Sequence, residues 1–275
     1  MTYLDSKELA DRLIATAQAA GRAELAIYNQ DFEVIEKSDG SPVTAADQAA
    51  EEIILKDLEE LAPDIPVVAE EAASAGEIPD IGERFFLVDP LDGTKEFVRK
   101  NGEFTINIGL IEKGKPVFGL VYAPAIEELF IALDRENALM TRLAPGAPTP
   151  SISDDCFMSL NTRVPPEDGM AVVASKSHMT DETRVFIDKL PVSGLRSAGS
   201  SLKFCLLAKA EADVYPRFGP TMEWDTAAGH AVLAAAGGLV TKENGEPLMY
   251  GKNSEGFRNS NFIAWGKPPA DTSSN

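Results

Sequence analysis

Cysteine is scarce in this sequence. Cys156 and Cys205 are the two cysteines among 275 residues, and they lie far apart in the chain. They belong to no CxxC pair, and a disulfide framework or a zinc site would need more sulfur than two isolated thiols provide. The sequence therefore predicts two reduced thiols.

Basic residues are also in short supply. The chain has 25 lysines and arginines against 44 acidic residues, which gives a formal net charge of −19. The phosphates of DNA, RNA and anionic lipids would be repelled by such a surface. A phosphorylated small molecule is not excluded, because a cluster of carboxylates can hold cations and the cations can then hold a phosphate.

Long apolar runs are absent as well, since no stretch approaches the roughly 18 to 20 residues that a membrane helix needs. The first residues, "MTYLDSKELADRLIATAQAAGR", lack the basic start and unbroken apolar stretch of a signal peptide. A composition of 44% hydrophobic and 25% charged residues is typical of a globular protein. We expect a cytoplasmic protein with no stable membrane insertion, and leave peripheral association with the inner membrane open.

Periodicity predicts a mixture of helices and strands in the first part of the chain. An apolar stripe predicts a helix from Asp5 to about Tyr28, and an alanine- and glutamate-rich stretch predicts a second one over 45–61. The short apolar runs "VVAEE" and "RFFLVDP" predict strands that end in acidic residues. Residues 103–133 alternate and break at turn residues, which predicts an antiparallel meander of three strands.

A proline-rich connection, "TRLAPGAPTPSISDD", follows this meander and predicts a boundary near residues 143–155. We therefore expect an N-terminal α+β half over 1–150 and a C-terminal α/β half over 151–275. In the second half, strands are predicted at "MAVVAS" and "ADVYPRF". Helices are predicted at "TDETRVFIDKL", "SSLKFCLLAKA" and "WDTAAGHAVLAAAGG".

The stretch "LVDPLDGTKEF", residues 87–97, places two aspartates where an apolar strand stops. Asp89 and Asp92 bracket Leu91, whose backbone carbonyl offers a third oxygen, and Mg²⁺ prefers an array of such oxygens. Packing two like charges this close would be costly without a cation. Gly93 lets a ligand approach the backbone, and the amides of Gly93 and Thr94 would point at an anion if a helix begins there.

Three further acidic residues occupy comparable places. Glu70 follows the strand "VVA", Asp47 lies at the start of the second helix, and Asp225 lies at the start of the last helix. Taken singly, each has an ordinary explanation as a surface residue or a helix cap. With only His178 and His230 and no GxSxG or CxxxxxR element, the chain lacks a candidate nucleophile for a phosphohistidine or phosphocysteine mechanism.

Four segments, "PVTAADQAAEE", "AEE", "DPLDGTKEF" and "WDTAAGHAVLAAAGG", occur in this order. Together they resemble the signature segments of the lithium-sensitive, magnesium-dependent phosphatase superfamily that includes inositol monophosphatase. The longer stretches "LVDPLDGTKEFVRKNGEFTINIGLI" and "GSSLKFCLLAKAEADVYPRFGPTMEWDTAAGHAVL" resemble its bacterial 3′(2′),5′-bisphosphate nucleotidase branch. The resemblance extends from about Leu9 to Trp265.

The resemblance implies a fold, a cofactor and a set of roles. The fold is a layered αβαβα sandwich of the inositol monophosphatase and fructose bisphosphatase type, and the cofactor is Mg²⁺, two or three ions. Asp47 and Thr94 would position and deprotonate the attacking water. The implied metal ligands are Glu70, Asp89, the carbonyl of Leu91, Asp92 and Asp225.

The implied substrate is a small nucleotide bisphosphate, and the implied reaction converts 3′-phosphoadenosine 5′-phosphate to AMP and phosphate. The corresponding adenylyl sulfate compound is left open as a second substrate. Gly93 and Thr94 would bind the phosphate to be cleaved. The remaining substrate-binding residues implied by the resemblance are His178, Ser200, Lys203 and Arg217.

Two other functions stay open at this point. One is a phosphatase of the same superfamily that acts on another small phosphate ester, such as inositol monophosphate, histidinol phosphate or fructose bisphosphate. The other is a metal- or nucleotide-binding module without activity, which the intact set of acidic residues makes the weaker alternative. The sequence also leaves a homo-oligomer open.

Overall fold

The computed structural model describes residues 5–36, 42–175 and 179–268. Its helices are α1 (Ser6–Tyr28), α2 (Ala45–Leu61), α3 (Glu70–Ser74), α4 (Thr94–Val98), α5 (Asp181–Ile187), α6 (Leu202–Ala208) and α7 (Ala227–Ala235). Its strands are β1 (Ile35–Glu36), β2 (Pro42–Val43), β3 (Val67–Ala69), β4 (Arg84–Asp92), β5 (Thr105–Glu112), β6 (Lys115–Ala123), β7 (Glu128–Ala132), β8 (Ala138–Arg142), β9 (Met158–Ser159), β10 (Met170–Ala174), β11 (Val192–Ser197), β12 (Val214–Arg217), β13 (Leu239–Lys242) and β14 (Phe262–Trp265).

Twelve of these strands form two large sheets, and β1 and β2 form a separate antiparallel pair. The first sheet has the order β3-β4-β5-β6-β7-β8-β9, in which only β3 and β4 run parallel. The predicted meander of β5, β6 and β7 is therefore confirmed. The second sheet has the order β11-β10-β12-β14-β13, with parallel pairs around β10 and antiparallel pairs around β14.

The two sheets and the helices stack as five layers. Helices α1 and α2 cover one face of the first sheet, where Leu13 and Ile54 pack with Ile106. Helices α6 and α7 lie between the two sheets, where Phe204 packs in the same core as Phe262. Helix α5 covers the outer face of the second sheet. The expected αβαβα sandwich is confirmed, and the division of the chain near residue 150 stays a prediction.

Most of the predicted elements form, with one change at the site. Residues Glu70 and Glu71 do not end the strand that precedes them, because they open the short helix α3. Helix α5 is capped by the Thr180 hydroxyl, as predicted. The sequence patterns do not predict β1, β2, β8, β9, β11, β13 and β14. Strand β11 contains Gly194 and is exposed along nearly its whole length, so it carries no apolar alternation.

Helix α7 approaches the first sheet unusually closely, because two glycines face it. A Cβ atom at Gly109 would lie 2.8 Å from the Ala227 Cβ, and one at Gly119 would lie 2.5 Å from the Ala228 carbonyl oxygen. Real Cβ atoms do not approach a backbone oxygen so closely. The helix can therefore lie this near the sheet only because both positions are glycine. Asp225 precedes this helix by two residues, and its position therefore depends on the same contact.

Two sequence-based expectations concern the thiols and the membrane. Cys156 is exposed and Cys205 is buried, and both are free thiols, as predicted. Burial raises the pKa of the Cys205 thiol far above its ordinary value, so this thiol stays protonated. Within the described residues, we find no helix with the length and apolar character needed to cross a membrane.

We expect Gly119→Ala to lower the free energy of unfolding by about 1–3 kcal/mol, the usual cost of overpacking a core. Its Cβ would meet the backbone of α7, which cannot move aside as a flexible side chain can. Urea denaturation measures the change. Gly146→Ala is the matched control, because a Cβ there meets nothing within 4 Å. Equal stability of the two variants would contradict the close approach.

Candidate active site

The acidic turn at the end of β4 is a bulge in the first sheet. Asp89 pairs with Asn107 and Asp92 pairs with Thr105, so three steps along β4 match two steps along β5. In a regular strand, residues three apart point to opposite faces. The extra residue removes this alternation and brings both carboxylates to the same face. Pro90 fits at this place because a bulge tolerates a residue without an amide hydrogen.

Three elements bring a carboxylate to this turn. Asp89 comes from β4, Glu70 from the first residue of α3, and Asp225 from the segment before α7. One carboxylate oxygen of each lies within 4.8 Å of the others. Asp225 is not the cap of α7, since Thr226 holds that position and Asp225 Oδ2 instead accepts a hydrogen bond from the Met222 amide at 2.8 Å.

The cluster is electrostatically strained when it holds no cation. Burial, followed by repulsion from Glu70 and Asp92, raises the pKa of Asp89 well above its ordinary value. Burial and the same two neighbours raise the pKa of Asp225. Carboxylates that converge in this way favour a hard cation such as Mg²⁺, which binds oxygen and neutralises the repulsion. The donor set therefore fits the metal that the sequence predicted.

Asp92 sits at the edge of this cluster and is held by polar neighbours. Its Oδ2 accepts a hydrogen bond from Asn107 Nδ2 at 3.2 Å, and Asn107 Oδ1 in turn accepts one from Thr105 Oγ1 at 3.1 Å. Burial raises the pKa of Asp92 to about 6, although the nearby Lys203 ammonium opposes the shift. The Leu91 carbonyl, the other predicted ligand of the turn, is 3.4 Å from Thr94 Oγ1.

Asp47 uses its two carboxylate oxygens differently. Oδ2 accepts hydrogen bonds from the Thr44 amide at 2.8 Å and from the Thr44 hydroxyl at 2.9 Å, which completes a capping box at the start of α2. Oδ1 is 3.3 Å from the hydroxyl of Thr94. Asp47 therefore caps α2 with one oxygen and faces Thr94 with the other. Burial raises the pKa of this carboxyl, which makes it a stronger base than an exposed aspartate.

Thr94 begins the short helix α4, and Gly93 precedes it with a left-handed φ of 95°. Next to them opens a cleft of about 630 Å³, a size typical of small-molecule sites. Lys203 and Arg217 lie on the wall of the cleft that α6 and β12 form. Ser200 also lines the cleft, whereas His178 lies outside the described residues, so its predicted role stays a prediction.

The two cations on this wall are buried and differ in their contacts. Lys203 Nζ donates to the Ser200 carbonyl at 2.5 Å and lies 5.3 Å from the centre of the Tyr215 ring. Arg217 Nη2 donates to the Pro220 carbonyl at 2.9 Å, and its Nε is buried without a hydrogen-bond partner among the described residues. Arg217 thus retains a buried donor that a bound anion could satisfy.

Glu51 is a site residue that the sequence analysis misses. It lies one turn after Asp47 on α2, and its two oxygens accept hydrogen bonds from the amides of Glu71 and Ala72, each at 2.9 Å. These amides lie in the first turn of α3, where amides have no acceptor within the helix, so Glu51 fixes the helix that carries Glu70. The spacing of four residues between Asp47 and Glu51 is the signal that could have found it, because it places both on one face of α2.

A model of the inositol monophosphatase family matches residues 5–265 of the chain. The chain belongs to this magnesium-dependent family, as the sequence predicted. The curated relatives include the 3′(2′),5′-bisphosphate nucleotidase CysQ of Shigella flexneri, which is 43% identical over 254 residues, covering 92% of this chain and 97% of the relative. CysQ of Escherichia coli strain K12 is 42% identical over the same shares.

Solved structures give the same grouping. The crystal structure of CysQ from Bacteroides thetaiotaomicron matches with a TM-score of 0.78 and 37% identity, covering 98% of this chain and 100% of that one. An inositol monophosphatase from Thermotoga maritima matches with a TM-score of 0.71 at 24% identity, covering 94% and 92%. The second likeness supports the fold alone.

The strained cluster predicts how stability depends on pH without metal. Folding raises the pKa values of three carboxyls, those of Asp89, Asp92 and Asp225. Their contribution to the free energy of unfolding is therefore present at low pH. It is lost as the pH rises from about 4 through the folded pKa values, which is about 6 for Asp92. In EDTA, we expect the free energy of unfolding of Asp89→Asn to fall less than that of the wild type between about pH 4 and pH 7.

Urea denaturation over a series of pH values measures this difference. The exposed Asp64→Asn is the matched control and should follow the wild type. Added Mg²⁺ should flatten the wild-type curve and act less on Asp89→Asn. Parallel curves for Asp89→Asn and the wild type in EDTA would contradict the strain.

The contacts of Glu51 predict an effect on metal affinity. We expect Glu51→Ala to raise the half-saturating Mg²⁺ concentration about 10- to 100-fold, the usual effect of losing a residue that orients a metal ligand. Calorimetric titration with Mg²⁺ measures it. The neighbouring exposed residue provides the control, and Glu52→Ala should leave the affinity unchanged. Unchanged affinity in Glu51→Ala would refute the orienting role.

Proposed function

We propose that this protein is a magnesium-dependent phosphatase that removes the 3′-phosphate of 3′-phosphoadenosine 5′-phosphate. The observation that carries the proposal is the pairing, across one cleft, of a strained carboxylate cluster with two buried cations. The carboxylates suit metal-assisted hydrolysis, and the cations suit a second phosphate that is held and not cleaved. The bisphosphate nucleotidases named CysQ, similar to this chain over most of its length, support the choice of substrate.

The acidic cluster would hold the metal ions. Four carboxylates carry four formal negative charges, which two Mg²⁺ would balance, and Leu91 adds a neutral carbonyl ligand. When bound, the metal supplies a lowered pKa for water and charge stabilisation for the attacking and leaving oxygens. The proposed ligands are Glu70, Asp89, Leu91, Asp92 and Asp225.

Asp47 and Thr94 would handle the proton of the attacking water. Thr94 donates its hydroxyl hydrogen toward Asp47 Oδ1, 3.3 Å away, so a lone pair of Thr94 Oγ1 is free to accept a proton from water. As the water oxygen bonds to phosphorus, its proton passes to Thr94 Oγ1 and the Thr94 proton passes to Asp47. The bond from phosphorus to the ribose 3′-oxygen breaks, and that oxygen leaves with a proton taken from solvent. The capping contacts of Oδ2 keep Oδ1 directed at Thr94 during this transfer.

The phosphate to be cleaved would lie against Gly93 and the amide of Thr94, beside the metal ligands. The second phosphate would lie toward Arg217, whose buried Nε has a free donor within the described part of the chain. Lys203 adds a positive charge on the same wall of the cleft, so the two cations offset the acidic surroundings. A ligand with one phosphate would leave this donor of Arg217 unsatisfied.

The first test is phosphate release from a panel of esters. We expect hydrolysis of 3′-phosphoadenosine 5′-phosphate with Mg²⁺, loss of activity in EDTA, and a lower kcat/KM on inositol 1-phosphate. Arg217→Ala should lower kcat/KM on the bisphosphate about 10- to 100-fold, the scale of one or two charge-assisted hydrogen bonds, and hardly change it on the monophosphate.

Arg184→Ala is the control, because this exposed arginine on α5 pairs only weakly with Asp181 at 3.8 Å. If the wild type preferred the monophosphate, the function would be that of an inositol monophosphatase. An equal loss on both substrates in Arg217→Ala would make Arg217 structural.

The shared water predicts that Asp47→Ala and Thr94→Ala are strongly non-additive. Each should lower kcat by about 100-fold or more, a typical scale for general base catalysis, because either change disrupts the same proton transfer. The double variant should lose little more than the stronger single one. Steady-state kinetics at saturating Mg²⁺ measure this, and losses that multiply would separate the two residues.

A further inference from the structure

One short segment connects the second sheet to the first. This segment, Gly199–Ser201, joins β11 to α6 and lies against the turn that precedes β5. Glu103 in that turn accepts a hydrogen bond from the Gly199 amide through Oε2 at 3.0 Å. A Cβ at Gly199 would lie 2.5 Å from the Glu103 carbonyl oxygen and 2.8 Å from Glu96 Cγ, so only glycine allows this contact.

The middle residue of the segment is in an unfavourable state. Ser200 has a left-handed φ of 43°, which is uncommon for a residue other than glycine. Its hydroxyl is buried and has no hydrogen-bond partner within the described residues, although a buried hydroxyl ordinarily has one. Strain and an unsatisfied group together indicate a function, and Ser200 lines the cleft, 3.3 Å from where a Cβ of Gly93 would be.

Several other polar groups of the segment have hydrogen-bond partners. The Ser200 carbonyl accepts from Lys203 Nζ, the Ser201 carbonyl accepts from the Phe204 amide, and the Ser201 hydroxyl donates to the Asp225 carbonyl at 2.8 Å. These contacts fix the segment on its C-terminal side. On its N-terminal side, the hydrogen bond from the Gly199 amide to Glu103 fixes it to the turn that precedes β5. Without it, Ser200 could relax out of its left-handed conformation.

We propose that Glu103 is a positioning residue that holds the Ser200 hydroxyl toward the substrate. This inference rests on the proposed function, because it assigns the unsatisfied hydroxyl of Ser200 to a bound nucleotide bisphosphate. Glu103 acts through its hydrogen bond to Gly199 and does not touch the reacting atoms. It also lies close enough to Lys203 to stabilise that ammonium by charge, so the hydrogen bond and the charge must be separated.

The test uses three single variants and one double variant. Glu103→Ala should lower kcat/KM on 3′-phosphoadenosine 5′-phosphate about tenfold, mainly through KM, the scale of one charge-assisted hydrogen bond. Glu103→Gln should stay within about twofold of the wild type, because an amide oxygen can still accept from Gly199 while the charge is gone. In a Ser200→Ala background, Glu103→Ala should cost less than about twofold.

Hydrogen exchange provides a readout that does not depend on activity. Peptides that cover residues 199–204 should exchange faster in Glu103→Ala than in the wild type. Asn101→Ala is the matched control, because Asn101 accepts from the Glu103 amide within the same turn and does not bind the segment. This control should leave the exchange of residues 199–204 and KM unchanged.

The outcomes separate the alternatives. A loss in Glu103→Gln as large as in Glu103→Ala would assign the effect to charge near Lys203 and overturn the proposal. A full loss in the Ser200→Ala background, or unchanged exchange in Glu103→Ala, would overturn it as well. If the wild type does not hydrolyse the bisphosphate, the proposed function fails, and the coupling between Glu103 and Ser200 is measured on the ester that it hydrolyses best.

Discussion

The crowding of carboxylates at the end of β4 is the constraint on which the rest of the site depends. Four carboxylates meet there, two from β4, one from α3 and one from the segment before α7, and they repel one another at close range; they are Asp89, Asp92, Glu70 and Asp225. A fold can keep such a group together only if each carrier is fixed by contacts that do not involve the charges. Three features fix the carriers in this way: the bulge in β4, the capping of α3 by Glu51, and the contacts of α7 with Gly109 and Gly119. All three consist of packing or of hydrogen bonds to the backbone.

Several residues serve the fold and the site at once, through different atoms. Asp47 stabilises the start of α2 with one oxygen and faces Thr94 with the other. Lys203 is buried beside Tyr215 and satisfies backbone carbonyls, and its charge also offsets the acids across the cleft. A chain with 44 acidic residues thus still places two buried cations, Lys203 and Arg217, on one wall of the cleft, where burial strengthens the electrostatic effect of each charge.

Much of the fold and the acidic side of the site follow from the sequence because their signals are local. One continuous stretch of sequence is enough to indicate each of three features: the helix over 45–61, the meander, and the turn at Asp89 and Asp92. Strand β14 is different, because its four buried residues are recognisable as a strand only from their pairing with β12 and β13. Glu103 is not indicated by the sequence for the same reason, since it binds a backbone amide that is remote in the chain. Glu51 also binds remote amides, and its only local signal is its spacing from Asp47.

The packing of α7 on Gly109 and Gly119 also determines when the carboxylate cluster is completed during synthesis. The carboxylates before residue 93 leave the ribosome early, but Asp225 takes its place only when α7 has emerged and settled on β5 and β6. A nascent chain that exposes the first sheet alone thus has most of the acidic residues and an incomplete cluster. Because the chain grows at a limited rate, any cation that needs all of the carboxylates can be captured only after α7 has been synthesised and has packed on the first sheet.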